Sequence, residues 1–318
     1  MLDGVCVLIT GANGFLGKHL IHVFSEKGID VIGAYRAVST SSDQNSVAIG
    51  NIDSMTDWSN VLKKRQVVIH TAARAHIMKD SAVDPLTAYR EVNTAGTLHL
   101  ARQAAMAGVK RFIFISSIKV NGETTTSLPA FAVNDTPAPQ DPYGVSKMEA
   151  EDGLRKIAQD AGMEVVIIRP PLIYGPGVKA NFRNLMKLAN TAVPLPFGAI
   201  HNIRSMLYIG NLVGFIVKCI DHPAAANQTF LLSDGQDLSL TELLCLLRSS
   251  MKKPTRLVPV SASFFRVAGS VTGKRAVVDR LVGSLQVDSS KACELLNWQP
   301  PYTVEQGIKA TTDHFLKE

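Results

Sequence analysis

Residues 4–10, GVCVLIT, form an unbroken apolar run that ends in a glycine-rich turn. In HLIHVFSEKG, which follows, apolar residues recur at three- and four-residue spacing as far as Gly28. The apolar theme returns in DVIGAY (30–35), VVIH (67–70), RFIFI (111–115) and VVII (165–168), with stretches of helical spacing between, the last of them closing at Gly162. Short runs apolar on both faces, alternating with helices, are the pattern of βαβ units in a parallel sheet covered on both sides. An α/β chain with a doubly wound parallel sheet is therefore predicted. The rhythm weakens after Pro170. Helical spacing reappears at 182–190, 212–219, 240–249 and 304–316, and short strands are predicted at 229–232 and 256–260. This divides the chain into a first domain over 1–170 and a smaller mixed domain over 171–318, with room for one element to return to the first. The Thr-, Pro- and Ala-rich segment 121–142 is expected to be a loop over the carboxyl edge of the sheet.

The turn after the first strand reads TGANGFLG, with Gly11, Gly14 and Gly17 spaced GxxGxxG. Gly11 permits a sharp strand-to-helix turn, Gly14 the close approach of a pyrophosphate, and Gly17 tight packing of helix on sheet. The helix N-terminus offers amides to the anion. At the first strand of a βαβ unit, this predicts a Rossmann-type dinucleotide site, with Asn13, Phe15 and Leu16 completing the loop. A free ribose diol prefers a carboxylate at the end of the second strand. Here that strand ends Ala34, Tyr35, Arg36, and the guanidinium fork of Arg36 suits a 2′-phosphate. NADP(H) is therefore favoured, with NAD(H) as the alternative.

Candidate chemistry lies further along. Ser116 and Ser117 follow RFIFI, at the carboxyl end of a strand, where a doubly wound sheet keeps its ligand crevice. Tyr143 and Lys147 stand four apart on a helix expected to begin near Tyr143, so phenol and ammonium share a face. A nearby cation, helped by the positive charge of an oxidised nicotinamide, favours the phenolate and is expected to draw the phenol's pKa down. Tyr143 then exchanges a proton with an alcohol or carbonyl oxygen while hydride moves at the adjacent carbon. Ser117 hydrogen-bonds the same oxygen, and Lys147 also holds the nicotinamide ribose.

Composition changes little in this picture. Hydrophobic residues are 46% and charged ones 19% of the chain, enough apolar matter for a core without staples. The four cysteines are far apart and match neither a zinc pattern nor a disulfide scaffold, and the eight histidines contain no HExxH, so no metal is expected. No apolar run reaches about 18 residues and no basic leader precedes the first strand, so the expected setting is the cytoplasm, without an integral membrane segment. The net charge of +6 is concentrated in 251–280, which holds seven basic residues against Asp279 alone. Without interleaved aromatics this suggests solvated surface or attraction of a phosphorylated ligand rather than nucleic acid.

The motifs together resemble the extended short-chain dehydrogenases/reductases that act on nucleotide sugars as epimerases, dehydratases or reductases. They are TGANGFLG, HTAAR (70–74), VNTAGT with Asn93, FIFISSIKV, YGVSK, RPPLIYGPG (169–177) and RSMLYIGNL from Arg204. The resemblance implies a catalytic set of Ser117, Tyr143 and Lys147. It puts an adenine contact at Asn51 and Ile52, where Asn51 departs from the usual Asp. Ala72, Ala73, Arg74, Asn93, Ser116 and Pro170 would line the pyrophosphate and nicotinamide. It further implies a UDP-sugar gripped by Asn181, Phe197, Arg204 and Arg280, with His76 and Lys119 near the sugar, and a homodimer packed through two helices per subunit. Ile118 and Lys119 stand where dehydratases carry an acidic pair, which excludes 4,6-elimination. Arg36 suits a cofactor that arrives reduced and leaves oxidised. The stretches PLPFGAIHNIRSMLYIGNL (194–212) and FLLSDGQDLS (230–239) resemble bacterial enzymes of surface-polysaccharide synthesis, and the activity this implies is NADPH-dependent reduction of a UDP-4-keto-6-deoxy-N-acetylhexosamine. The alternative is 4-epimerisation of UDP-glucose or UDP-N-acetylglucosamine with bound NAD.

Overall fold

The computed structural model describes residues 4–37, 45–75, 84–273 and 275–318. Its strands are β1 (Cys6–Thr10), β2 (Asp30–Tyr35), β3 (Ser46–Ala48), β4 (Val67–His70), β5 (Arg111–Ile115), β6 (Glu164–Arg169), β7 (Leu172–Tyr174), β8 (Met206–Tyr208) and β9 (Thr229–Leu231). The helices of the first half are α1 (Phe15–Glu26), α2 (Ser59–Leu62), α3 (Pro85–Tyr89), α4 (Thr97–Met106) and α5 (Pro142–Ala161). Those of the second are α6 (Ala180–Ala189), α7 (Ile209–Cys219), α8 (Leu240–Ser250), α9 (Ala262–Val271), α10 (Arg275–Val282), α11 (Ser290–Leu296) and α12 (Val304–Phe315).

The main sheet is parallel throughout, in the order β3-β2-β1-β4-β5-β6-β9. β4 and β5 are buried at every position, which is why their sequences are apolar except for His70 at the end of β4 and Arg111 at the start of β5. Successive side chains still point to opposite faces. Val7, Ile9, Val67, Ile69, Ile113 and Ile115 meet α1 and α7 through Leu20, Phe24, Phe215 and Ile216. Leu8, Val68, Phe112 and Phe114 meet α4 and α5 through Leu100, Ala104 and Leu154. Strand order reverses between β1 and β4, and the crevice outside their carboxyl ends is where a ligand binds in such sheets.

A smaller mixed region covers that edge. β7 and β8 pair in parallel, and a separate core gathers Tyr174, Phe182, Met186, Leu244, Leu247 and Ile308. The chain also returns to the main sheet after residue 171, since β9 lies beside β6 and α7 covers the sheet. The predicted strand at 256–260 is only a pair of contacts, Leu195 with Leu257 and Ala199 with Ser261. Pro259 in its middle lacks the N–H that a ladder requires. The segment Arg90–Gly96, a π-helical stretch joining α3 to α4, had no counterpart in the predicted pattern.

Candidate active site

The glycine loop forms a cradle at the carboxyl end of β1. Gly11 has φ +66° and faces the backbone of Ala72, where a Cβ would lie 2.8 Å from the Ala72 Cα. At Gly17 a Cβ would come within 2.2 Å of the Gly11 carbonyl oxygen, so only hydrogen fits. Gly14 is the N-cap of α1 and supplies no side-chain acceptor, leaving the first helical amides available to an anion. Asn13 is exposed and Phe15 half-buried at this mouth, whereas the Leu16 side chain lies in the core, so what Leu16 can offer the cradle is its backbone N–H.

The opposite wall is the stretch after β4 that carries Ala72, Ala73 and Arg74. Asn93 holds it: its Oδ1 accepts from the Arg74 N–H at 2.8 Å, and its Nδ2 donates to the Arg74 carbonyl and the Ser146 hydroxyl. Ser146 in turn donates to the Tyr143 carbonyl at 2.8 Å, tying the wall to the first turn of α5. Below it, His70 lies between Thr10 Oγ1 (2.7 Å) and Thr97 Oγ1 (2.9 Å). Burial, with the charge of Lys147 adding, pushes the His70 pKa down to about 3, which keeps the ring neutral. Further out, Ile52 rests against Gly96, and Asn51 and Arg36 are exposed.

Asp141 caps α5 by accepting from the Gly144 N–H at 2.7 Å, and Pro142 occupies the first turn, so Tyr143 projects from the helix start. Lys147 follows one turn later, buried, with Nζ donating to the Ile115 carbonyl at 2.8 Å and standing 4.4 Å from the centre of the Phe114 ring. Ser117 follows β5; its Oγ accepts from the Lys119 N–H at 3.3 Å, and its hydroxyl stands close enough to the Tyr143 phenol to favour the phenolate. Burial pushes Lys147 down to about 7, with Glu151 opposing. The chain's own groups do not lower the phenol's pKa. Burial raises the Tyr143 pKa well above the usual phenol range and Asp141 adds to it, while the Ser117 hydroxyl opposes. The physical reason is that the phenol and its ammonium are both desolvated, and the Lys147 ammonium is already bound to a carbonyl and a ring face.

Behind Ser117, Tyr143 and Lys147 lies a buried network that was not anticipated. Arg169 donates through Nε and Nη2 to the two oxygens of Glu151 (2.9 and 2.6 Å) and through Nη1 to Asn121 Oδ1. The Ser116 hydroxyl also donates to Glu151, at 2.6 Å, so that side chain serves this network and leaves its backbone to the crevice. An arginine directly after the apolar EVVII of β6 was the available signal. Pro170, buried next to it, accepts from the Ile118 N–H and so holds the loop after Ser117.

Of the residues assigned to a sugar nucleotide, Arg204 is half-buried, and its Nη1 donates to the carbonyls of Arg280 and Gly283. Burial lowers its pKa. Arg280 is exposed at the end of α10, Asn181 is exposed at the start of α6, and Phe197 stacks on Phe265 at 5.1 Å. The Lys119 ammonium is held by Glu123 and by a short contact with Asp141. His76 lies outside the described residues. Among the described residues no cluster of three metal-ligating side chains occurs, and no helix is long and apolar enough to cross a membrane.

The sequence profile of the NAD dependent epimerase/dehydratase family matches residues 7–232. The chain belongs to this family. It is 50% identical over 313 residues to a UDP-glucose 4-epimerase of Vibrio cholerae, covering 98% of this chain and 95% of that one. The solved UDP-glucuronic acid 4-epimerase of Bacillus cereus, in complex with NAD, superposes with a TM-score of 0.78 at 22% identity, over 98% of this chain and 99% of that one. The UDP-glucose 4-epimerase of Thermotoga maritima, with UDP-glucose, gives a TM-score of 0.76 at 23% identity over the same shares. The family that the chain belongs to is described as NAD dependent, which corrects the preference for NADP(H) in favour of NAD(H). Arg36 misled because an exposed guanidinium just past β2 can stack on an adenine face as readily as it meets a 2′-phosphate, and so does not choose between the two cofactors.

Proposed function

We propose that this protein interconverts UDP-hexoses that differ in configuration at C4, with NAD as its resident cofactor. The reading is carried by the Ser117, Tyr143 and Lys147 set beside the glycine cradle, in a chain half identical, over nearly its whole length, to the Vibrio cholerae enzyme. The cradle suits a dinucleotide: positions 11 and 17 have no room for a Cβ, and the helix amides face an anion. When bound, NAD would take up hydride from C4 and return it.

The chain's own groups handle the proton. The Ser117 hydroxyl and the Tyr143 phenol converge on one oxygen. The O4 proton passes to Tyr143 Oη as the alcohol is oxidised and returns from it as the keto group is reduced. Because burial and Asp141 hold the phenol's pKa up, the oxidative half needs positive charge beside the ring, to which the Lys147 ammonium contributes, while the reductive half uses the phenol as it stands. Arg204 and Arg280 would meet the diphosphate, with Asn181 and Phe197 beside the nucleotide. A homodimer packed through two helices per subunit, α5 among them, completes the proposal.

The case for keto-sugar reduction rested on Arg36, on Lys119 standing where epimerases often have a small hydroxyl residue, and on the resemblance of 194–212 and 230–239 to keto-sugar reductases. Arg36 does not select the cofactor, and Lys119 is engaged by two carboxylates. Incubating the purified protein with UDP-galactose, without added cofactor, should yield UDP-glucose detectable by its anomeric proton resonance, and denaturation should release NAD. Absence of an epimer from UDP-galactose and from UDP-N-acetylglucosamine, with NADPH consumed only when UDP-4-keto-6-deoxy-N-acetylglucosamine is supplied, would overturn the reading.

A further inference from the structure

We propose that the outer face of the α9–α10 hairpin docks this protein on an anionic lipid surface. The proposal does not depend on which sugar nucleotide the active site takes. Among the described residues fifteen large hydrophobic side chains are exposed, and five of them, Val258, Phe264, Val267, Val271 and Val277, fall within 258–277. On α9, Phe264, Val267 and Val271 stand at i, i+3 and i+7 and therefore form one stripe, exposed by 62%, 65% and 83%. The stripe is not needed to hold the hairpin together. That contact is made from the other side of α9, where Phe265 stacks on Phe197 and Gly269 fits so closely against α10 that a Cβ would lie 2.8 Å from Val278 Cγ2.

Charge identifies the occupant. The stretch 251–280 carries a surplus of six positive charges, and besides Arg280, which is assigned to the diphosphate, Lys252, Arg256, Arg266 and Arg275 are all exposed. The single carboxylate, Asp279, is shared between Arg266 at 3.9 Å and Arg275 at 3.6 Å, so the face stays positive. An exposed apolar stripe within a cation-rich stretch suits the interface of an acidic membrane, where the stripe enters the headgroup region and cations of the neighbouring segments meet lipid phosphates. A second copy of the chain fits less well, because a two-fold contact would bring the same positive surplus against itself. The hydrogen bond from Arg204 to the Arg280 carbonyl anchors the hairpin beside the proposed substrate cleft, which would then open close to the surface.

Co-sedimentation of the intact protein with vesicles tests this. Partitioning should be at least about ten-fold stronger on phosphatidylcholine mixed with phosphatidylglycerol than on phosphatidylcholine alone. It should collapse when ionic strength rises from about 0.1 M to about 1 M, where the screening length drops from about 10 Å to about 3 Å. The double variant Phe264→Ser, Val271→Ser should lose about ten-fold of the partitioning while its thermal melt is kept, since both side chains are solvent-facing. Arg275→Glu, which leaves the apolar stripe intact, should weaken low-salt binding as well. The proposal is overturned by absence of binding to the acidic vesicles at low salt, by equal binding to both vesicle types, or by undiminished binding of the double variant. It is equally overturned if light scattering shows the double variant to be a smaller assembly than the wild type, since the face would then join copies of the chain.

Discussion

Tyr143 and Lys147 were recognisable from their spacing, yet their state depends on what surrounds them. Tyr143→Phe keeps the ring against Tyr89 and removes the one atom that can carry the O4 proton. General acid–base catalysis contributes about 10²–10⁴-fold, so single-turnover epimerisation should fall by that factor with bound NAD and melting temperature unchanged. A variant retaining a third of the wild-type rate would remove Tyr143 from the role. His70 gives a second residue-scale expectation. The folded protein holds it neutral, with a pKa of about 3 against 6.5 for the free side chain. Its contribution to stability is therefore fully present above about pH 6.5 and is lost as pH falls below that value toward the folded pKa. The loss is about 1.4 kcal/mol per pH unit. In urea titrations, wild type should lose stability between pH 6.5 and 4.5 more steeply than His70→Gln. Parallel curves would show that the ring is protonated in the native state.

At the scale of elements, local signals succeeded where one residue type decides the backbone. Gly162, at φ +70°, ends α5, and Asp141 with Pro142 begins it, as their order along the chain predicts. The glycine turn belongs to the same class. In Gly17→Ala the new methyl would meet the Gly11 carbonyl and the Ala12 backbone, neither of which can move without unseating α1 from β1. The expected result is loss of copurifying NAD together with a melting temperature lowered by several degrees; a variant that retains stoichiometric NAD would show that α1 can shift without disturbing the cradle. Elements that depend on distant partners were harder to read. The β7 and β8 pair is three residues per strand, separated by more than thirty residues of chain, and its register is a product of packing.

Across the whole molecule, Asp234 joins the two regions. Its buried carboxylate accepts from the Tyr174 hydroxyl of β7, from the Tyr208 N–H of β8, and from Asn211 of α7, whose side chain also exchanges hydrogen bonds with the Tyr302 backbone. Burial raises the Asp234 pKa, and those three donors oppose the rise. Asp234→Ala strands several buried donors at a cost of about 1–3 kcal/mol each, so a loss of at least about 3 kcal/mol is expected in chemical denaturation. A change below 1 kcal/mol would mean that the two regions are held by apolar contact alone.

What the sequence by itself determined are the features written in local periodicity and backbone permission. The alternation of apolar strands with helices specifies a sheet covered on both faces, the spacing of Gly11, Gly14 and Gly17 specifies a tight turn from β1 into α1, and the four-residue interval from Tyr143 to Lys147 puts phenol and ammonium on one helical face. Only the tertiary structure decided how desolvated those groups are, and hence that the chain's own groups raise the phenol's pKa. It also decided that Ser116 and Arg169 converge on Glu151, and that Lys119 is held by Glu123 and Asp141. A short-range pattern records which residues share a face, whereas burial and charge pairing are set by chain segments that meet only when the fold closes.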